Sequence, residues 1–61
     1  MEYLESYRGV VMYKGMNRYF PYNARGVVWE AQTLEALKTY IDKALDTGTQ
    51  YVNDQGALMF K

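Results

Sequence analysis

The chain has 61 residues, seven Lys and Arg against seven Asp and Glu, and neither cysteine nor histidine. A single small domain, residues 1–61, is what that length supports, and the balanced charge argues against a strong nonspecific grip on nucleic acid. Without Cys or His there is no disulfide, no zinc site built on nitrogen or sulfur ligands, and no Cys/His or Ser/His/Asp nucleophile; no metal, cofactor or catalytic residue is expected.

Residues 1–6 read as a weakly structured lead-in. Tyr7 to Tyr13 reads as the first strand. Tyr7, Gly9, Val11 and Tyr13 share one face of it, and Arg8, Val10, Met12 and Lys14 the other. Both sets hold apolar residues, so the alternation leaves open which one meets the rest of the fold. Lys14-Gly15-Met16-Asn17 is a turn, with Gly15 free to take positive φ. Arg18 to Tyr22 follows as a second strand, and Pro21, which has no ladder donor, places it at a sheet edge or at its own frayed end. Asn23-Ala24-Arg25-Gly26 is the next turn, and Val27 to Glu30 a short third strand.

Gln32 to Gly48 then reads as one amphipathic helix. Thr33 is a good N-cap, since its hydroxyl can accept from an orphan N–H of the first turn. Glu35 suits the positive end of the helix dipole. Leu34, Leu37, Tyr40, Ile41, Ala44 and Leu45 recur at steps of three and four and form one apolar stripe. Glu35, Lys38, Thr39, Asp42, Lys43 and Asp46 take the other side, with Lys38 and Asp42 spaced to pair. Gly48 ends the run as the left-handed residue past the C-cap. A helix this short holds its shape only by packing on something.

Beyond the helix, Gln50 to Asn53 reads as a fourth strand, Asn53-Asp54-Gln55-Gly56 as a turn and Ala57 to Phe60 as a fifth strand. The expected fold class is α+β: a three-stranded antiparallel meander packed against one helix, with a C-terminal strand or hairpin. The expected core is Val11, Phe20, Val27, Trp29, Leu34, Leu37, Ile41, Ala44, Leu45 and Val52. No apolar run approaches the roughly 20 residues of a membrane span, and no basic stretch followed by an apolar core suggests a signal peptide; the expected compartment is the cytoplasm.

The unusual feature is tyrosine, seven of them, joined by Phe20, Trp29 and Phe60. Half-buried strand positions suit tyrosine, its ring packed and its hydroxyl wet. One thin core cannot hide ten rings, so some are left for a recognition surface or an oligomer interface. Tyr13, Tyr19 and Tyr22 lie by the turns near Arg18, and these four are the expected protein-binding group. Arg8, Lys14, Arg18 and Arg25, interleaved with tyrosines, are the candidate nucleic-acid set, because cations grip phosphates while rings stack on bases. The carboxylates, Glu30 with Glu35 and Asp42 with Asp46, read as solvated surface charge with no pocket to tune them.

Two resemblances add to this reading. Tyr7-Arg8-Gly9-Val10, followed by the run from Thr33 to Leu45, resembles the AP2-type pattern, in which a YRGV strand leads to a TxEEAxxAYDxAA-like helix. Phage integrase arm-binding domains are similar in layout. This likeness implies DNA reading from the sheet, with Arg8 at a matching position and Lys14 and Arg18 matching loosely. The arginines and tryptophans that the family carries on its second strand stand here as Tyr19, Phe20, Pro21 and Tyr22. Tyr7-Arg8-Gly9, a hairpin, then Thr33 to Asp42 is also similar to small orphan proteins of phages and mobile elements, and the layout to the HicB antitoxins. That likeness implies a small regulator or inhibitor that binds a host or phage protein. The reading is therefore a non-enzymatic protein-binding module, with sheet-mediated DNA binding as the alternative and homodimerisation through the sheet edge or aromatic face as a third.

Overall fold

The computed structural model describes residues 2–61, and in it the chain first reverses at Arg8-Gly9. Both residues take positive φ, 53° and 85°, the geometry that a two-residue hairpin turn requires. The expected strand from Tyr7 to Tyr13 is thus two strands. The lead-in is β1, Glu2–Tyr7, and it pairs antiparallel with β2, Val10–Gly15. Left-handed backbone at a residue with a Cβ is disfavoured by about 1–2 kcal/mol; at Arg8 it is offset by contacts to the helix described below.

β2 turns at Met16-Asn17 into β3, Arg18–Pro21. Asn17, not Gly15, takes the positive φ, 58°, a conformation that asparagine tolerates. Gly15 stays in the strand for a different reason: a Cβ there would lie 3.2 Å from Phe20 Cε1, so the aromatic ring occupies the space. β1, β2 and β3 form the expected three-stranded antiparallel meander. Val27 to Glu30 is coil instead of the expected third strand, and the segment pairs with the sheet through an isolated bridge at Ala31, which exchanges N–H···O bonds with Tyr19 at 2.7 and 2.8 Å.

The helix α1 runs Leu34–Asp46. Thr33 caps it, its Oγ1 accepting from Ala36 N at 3.1 Å, and Gly48 follows the C-cap Thr47 with φ 74°. β4, Gln50–Val52, and β5, Leu58–Phe60, form a separate antiparallel hairpin. It continues the sheet where β3 stops: Val11 N donates to Gly56 O at 2.9 Å and Leu58 N to Tyr22 O at 2.9 Å.

The helix decides between the two faces of β2. Val10 and Met12 are fully buried with Leu37, Ile41, Ala44, Ala31 and Leu58. Full burial of each large side chain there stabilises by roughly 1.5–3 kcal/mol. Of the expected core residues, Leu37, Ile41 and Ala44 lie in this cluster, while Trp29, Leu34, Leu45 and Val52 pack half-buried around it. Val27 is 50% exposed, because it belongs to no strand and faces away from the helix. Val11 lies on the opposite side of β2 from Val10 and Met12 and is half-buried.

The helix surface pairs with β1 and not with itself. Lys38 Nζ reaches Glu5 Oε2 at 3.3 Å, and Asp42 is taken by Tyr7 and Arg8, so the expected Lys38–Asp42 pair does not form. Among the described residues no helix is long and apolar enough to cross a membrane.

Candidate functional site

Strand alternation sets Tyr3, Tyr13 and Phe20 in one row across β1, β2 and β3, since Tyr3 pairs with Tyr13 and Tyr13 with Phe20. The row lies on the side of the sheet away from the helix. Tyr13 is its centre. Its ring centroid is 6.1 Å from those of Tyr3, Phe20 and Tyr22, edge-on to both tyrosines and stacked with Phe20. Such pairs add about 0.5–1.5 kcal/mol each beyond simple burial. Phe20 is only 7% exposed yet lies outside the helix-side core, so the rings build a second apolar cluster of their own. An antiparallel sheet with one free face ordinarily presents polar residues there. This one presents rings.

Beside the row lies a groove of about 410 Å³, lined by Tyr13, Phe20, Tyr22, Asn23 and Val27 among others. Its far wall is held firmly. Tyr22 N donates to Val11 O at 2.7 Å. The buried Asn23 donates from Nδ2 to Leu58 O and accepts from Arg25 N at 2.8 Å, and Gly26 N closes the turn on Asn23 O at 3.0 Å. A second depression of about 240 Å³ shares Asn23 and is lined by Arg25, Val28, Met59 and Phe60. Exposed Val27, Val28 and Phe60 therefore extend the apolar strip from one depression to the next.

Of the expected protein-binding residues, Tyr13 and Tyr22 meet at the groove. Arg18 shares their face, paired with Gly15 at the end of the row, its Nη1 donating to Asn17 O at 2.9 Å. Tyr19 does not join them. It points to the helix side, half-buried against the core with Lys14 Nζ 5.7 Å from its ring centroid. Tyr3, Phe20 and Val27 belong to the face although the sequence reading did not place them there. The alternation of Arg18, Phe20 and Tyr22 in the sequence is the signal that finds Phe20.

The nucleic-acid set is dispersed. Arg8 Nη1 lies 3.0 Å from Asp42 Oδ1 and 3.0 Å from Asp46 Oδ1, and the hydrogen bonds it donates to these two carboxylates raise its pKa further above its already high value. Tyr7 completes the cluster, donating to Asp42 at 3.0 Å. Lys14 stands on the helix side, Arg18 on the ring side, and Arg25 in the loop.

Comparison with known protein families, with curated proteins and with solved structures yields no match to this chain.

Proposed function

We propose that this protein is a non-enzymatic, cytoplasmic protein-binding module, of the kind that small phage or prophage regulators and inhibitors represent, and that its partner docks on the aromatic face. One observation carries the reading: a sheet already closed by a helix on one side bears Tyr3, Tyr13 and Phe20 on the other, where Tyr13, Phe20, Tyr22 and the loop residue Val27 line a groove of about 410 Å³. Tyrosine gives large contact area for little lost entropy, and hot spots favour it. The groove walls are pinned by backbone hydrogen bonds, so docking requires little ordering of this side.

The test is affinity capture from a lysate of the producing cells, with the wild-type chain and Val27→Asp as paired baits. Val27 is exposed, so the substitution leaves stability within about 0.5 kcal/mol. A partner held by the wild type and lost by the variant is the expected result. Capture indifferent to Val27, or none, refutes the reading.

The DNA-binding alternative draws on Arg8, Lys14, Arg18 and Arg25. It is less well supported, because Arg8 is engaged by two carboxylates and the others do not share a face. A mobility shift at low salt would revive it.

A further inference from the structure

We propose that the occupant of the aromatic face is an extended acidic peptide segment that seats an apolar anchor in the groove. This rests on the protein-binding reading and specifies the chemistry of the partner. Charge carries it. On the helix side Arg8 and Lys38 are taken up by carboxylates, Arg8 by Asp42 and Asp46 and Lys38 by Glu5. Among the described residues the strands place no carboxylate on the ring side, since Glu2 and Glu5 stand opposite Lys14 and Met12 on the helix side. Arg18 stands there, at the end of the row, and Arg25 lines the second depression; neither makes an ion pair among the described residues. An apolar track thus has uncompensated positive charge at both ends, which favours a partner of the opposite sign. The two depressions are neighbours that share Asn23 in their lining, so a chain laid across both is elongated.

Other occupants fit less well. Single-stranded nucleic acid stacks its bases on free ring faces, but Tyr13 is enclosed by three rings and Phe20 is 7% exposed. A second copy would bring the same two arginines against each other in a self-complementary interface. Nor is a copy needed to close the fold, since the accessible surface of 4037 Å² matches the roughly 4,100 Å² expected of a folded monomer of this mass.

A display library of random peptides, selected on the wild-type chain and counted against Val27→Asp, tests this. Asp and Glu flanking an aromatic or aliphatic residue are the expected enrichment. The selected peptide is expected to bind the double variant Arg18→Glu, Arg25→Glu roughly tenfold more weakly, each lost ion pair contributing a few-fold. Both side chains are exposed, and circular dichroism checks that the variant folds. A neutral or basic consensus, or unchanged affinity for the double variant, overturns the acidic assignment and leaves the protein-binding reading standing. No enrichment over Val27→Asp overturns both, whether a single-stranded oligonucleotide or a second copy then perturbs the resonances of Tyr13 and Tyr22.

Discussion

Trp29 lies flat on Tyr40, the ring centroids 4.1 Å apart and the planes within 7° of parallel. Trp29 belongs to the coil that leads into the helix, and Tyr40 to the helix itself. The Tyr40 hydroxyl in turn accepts from Gln50 Nε2 at 2.8 Å, at the start of β4. One stack therefore holds together the coil, the helix and the last hairpin. It also fixes the segment that carries Val27 to the groove and Val28 to the second depression.

Replacing Trp29 with Ala is expected to lower stability by about 2 kcal/mol, less than for a fully buried tryptophan because Trp29 is only half-buried. Trp29→Phe should retain much of that. Urea denaturation followed by far-ultraviolet circular dichroism measures both, and equal stability of Trp29→Ala and wild type would show that the coil is held by something else.

Gly56 has φ +82°, and a Cβ there would lie 2.6 Å from Val11 Cγ2 and 3.2 Å from the Gly9 carbonyl oxygen. Gly26 has φ +99° with open space around it. Gly26→Ala should therefore cost only the left-handed backbone penalty, about 1 kcal/mol. Gly56→Ala adds a clash in the joint between β2 and the last hairpin, and about 2–3 kcal/mol is expected in all. Thermal melts of the two variants side by side decide it; the order of the two losses is the discriminating result.

Tyr7 predicts a pH dependence. Its hydrogen bond to Asp42, helped by loss of water and by the carboxylate charge and opposed by Arg8, raises its pKa above the ordinary 10.0. A raised folded-state value means that the folded chain holds the proton more tightly than the unfolded one. The contribution is thus complete below pH 10.0 and disappears as pH climbs through the folded value. Tyr7→Phe should be less stable than wild type at neutral pH, and the gap should close under alkaline conditions. A gap that stays constant across a pH series of urea titrations removes this assignment.

Thr33 gives the simplest test. Thr33→Ala leaves Ala36 N without its 3.1 Å acceptor and is expected to cost about 1 kcal/mol, with Thr33→Asp restoring most of it. Equal denaturation midpoints for the three proteins would mean that the cap contributes nothing.

The signals that decide the helix are local. Thr33, the apolar stripe and Gly48 lie within one stretch of chain, and the helix forms between them. The Asn53 to Gly56 turn and the hairpin around it are legible for the same reason, since asparagine and glycine set the backbone where they stand. The first hairpin is harder to read. Arg-Gly is not the usual pair for a turn with two positive φ values, and its reversal is held in part by Asp42 and Asp46, more than thirty residues away.

The sequence by itself determines the helix, the punctuation of the chain and a surplus of rings too large for one core. Only the tertiary structure decides which rings share a face. β2 offers Val10 and Met12 on one side and Val11 and Tyr13 on the other, two sets of similar apolarity. Alternation cannot rank them, because burial depends on where the helix lands. Once Leu37 and Ile41 cover Val10 and Met12, the opposite row of Tyr3, Tyr13 and Phe20 is left facing outward.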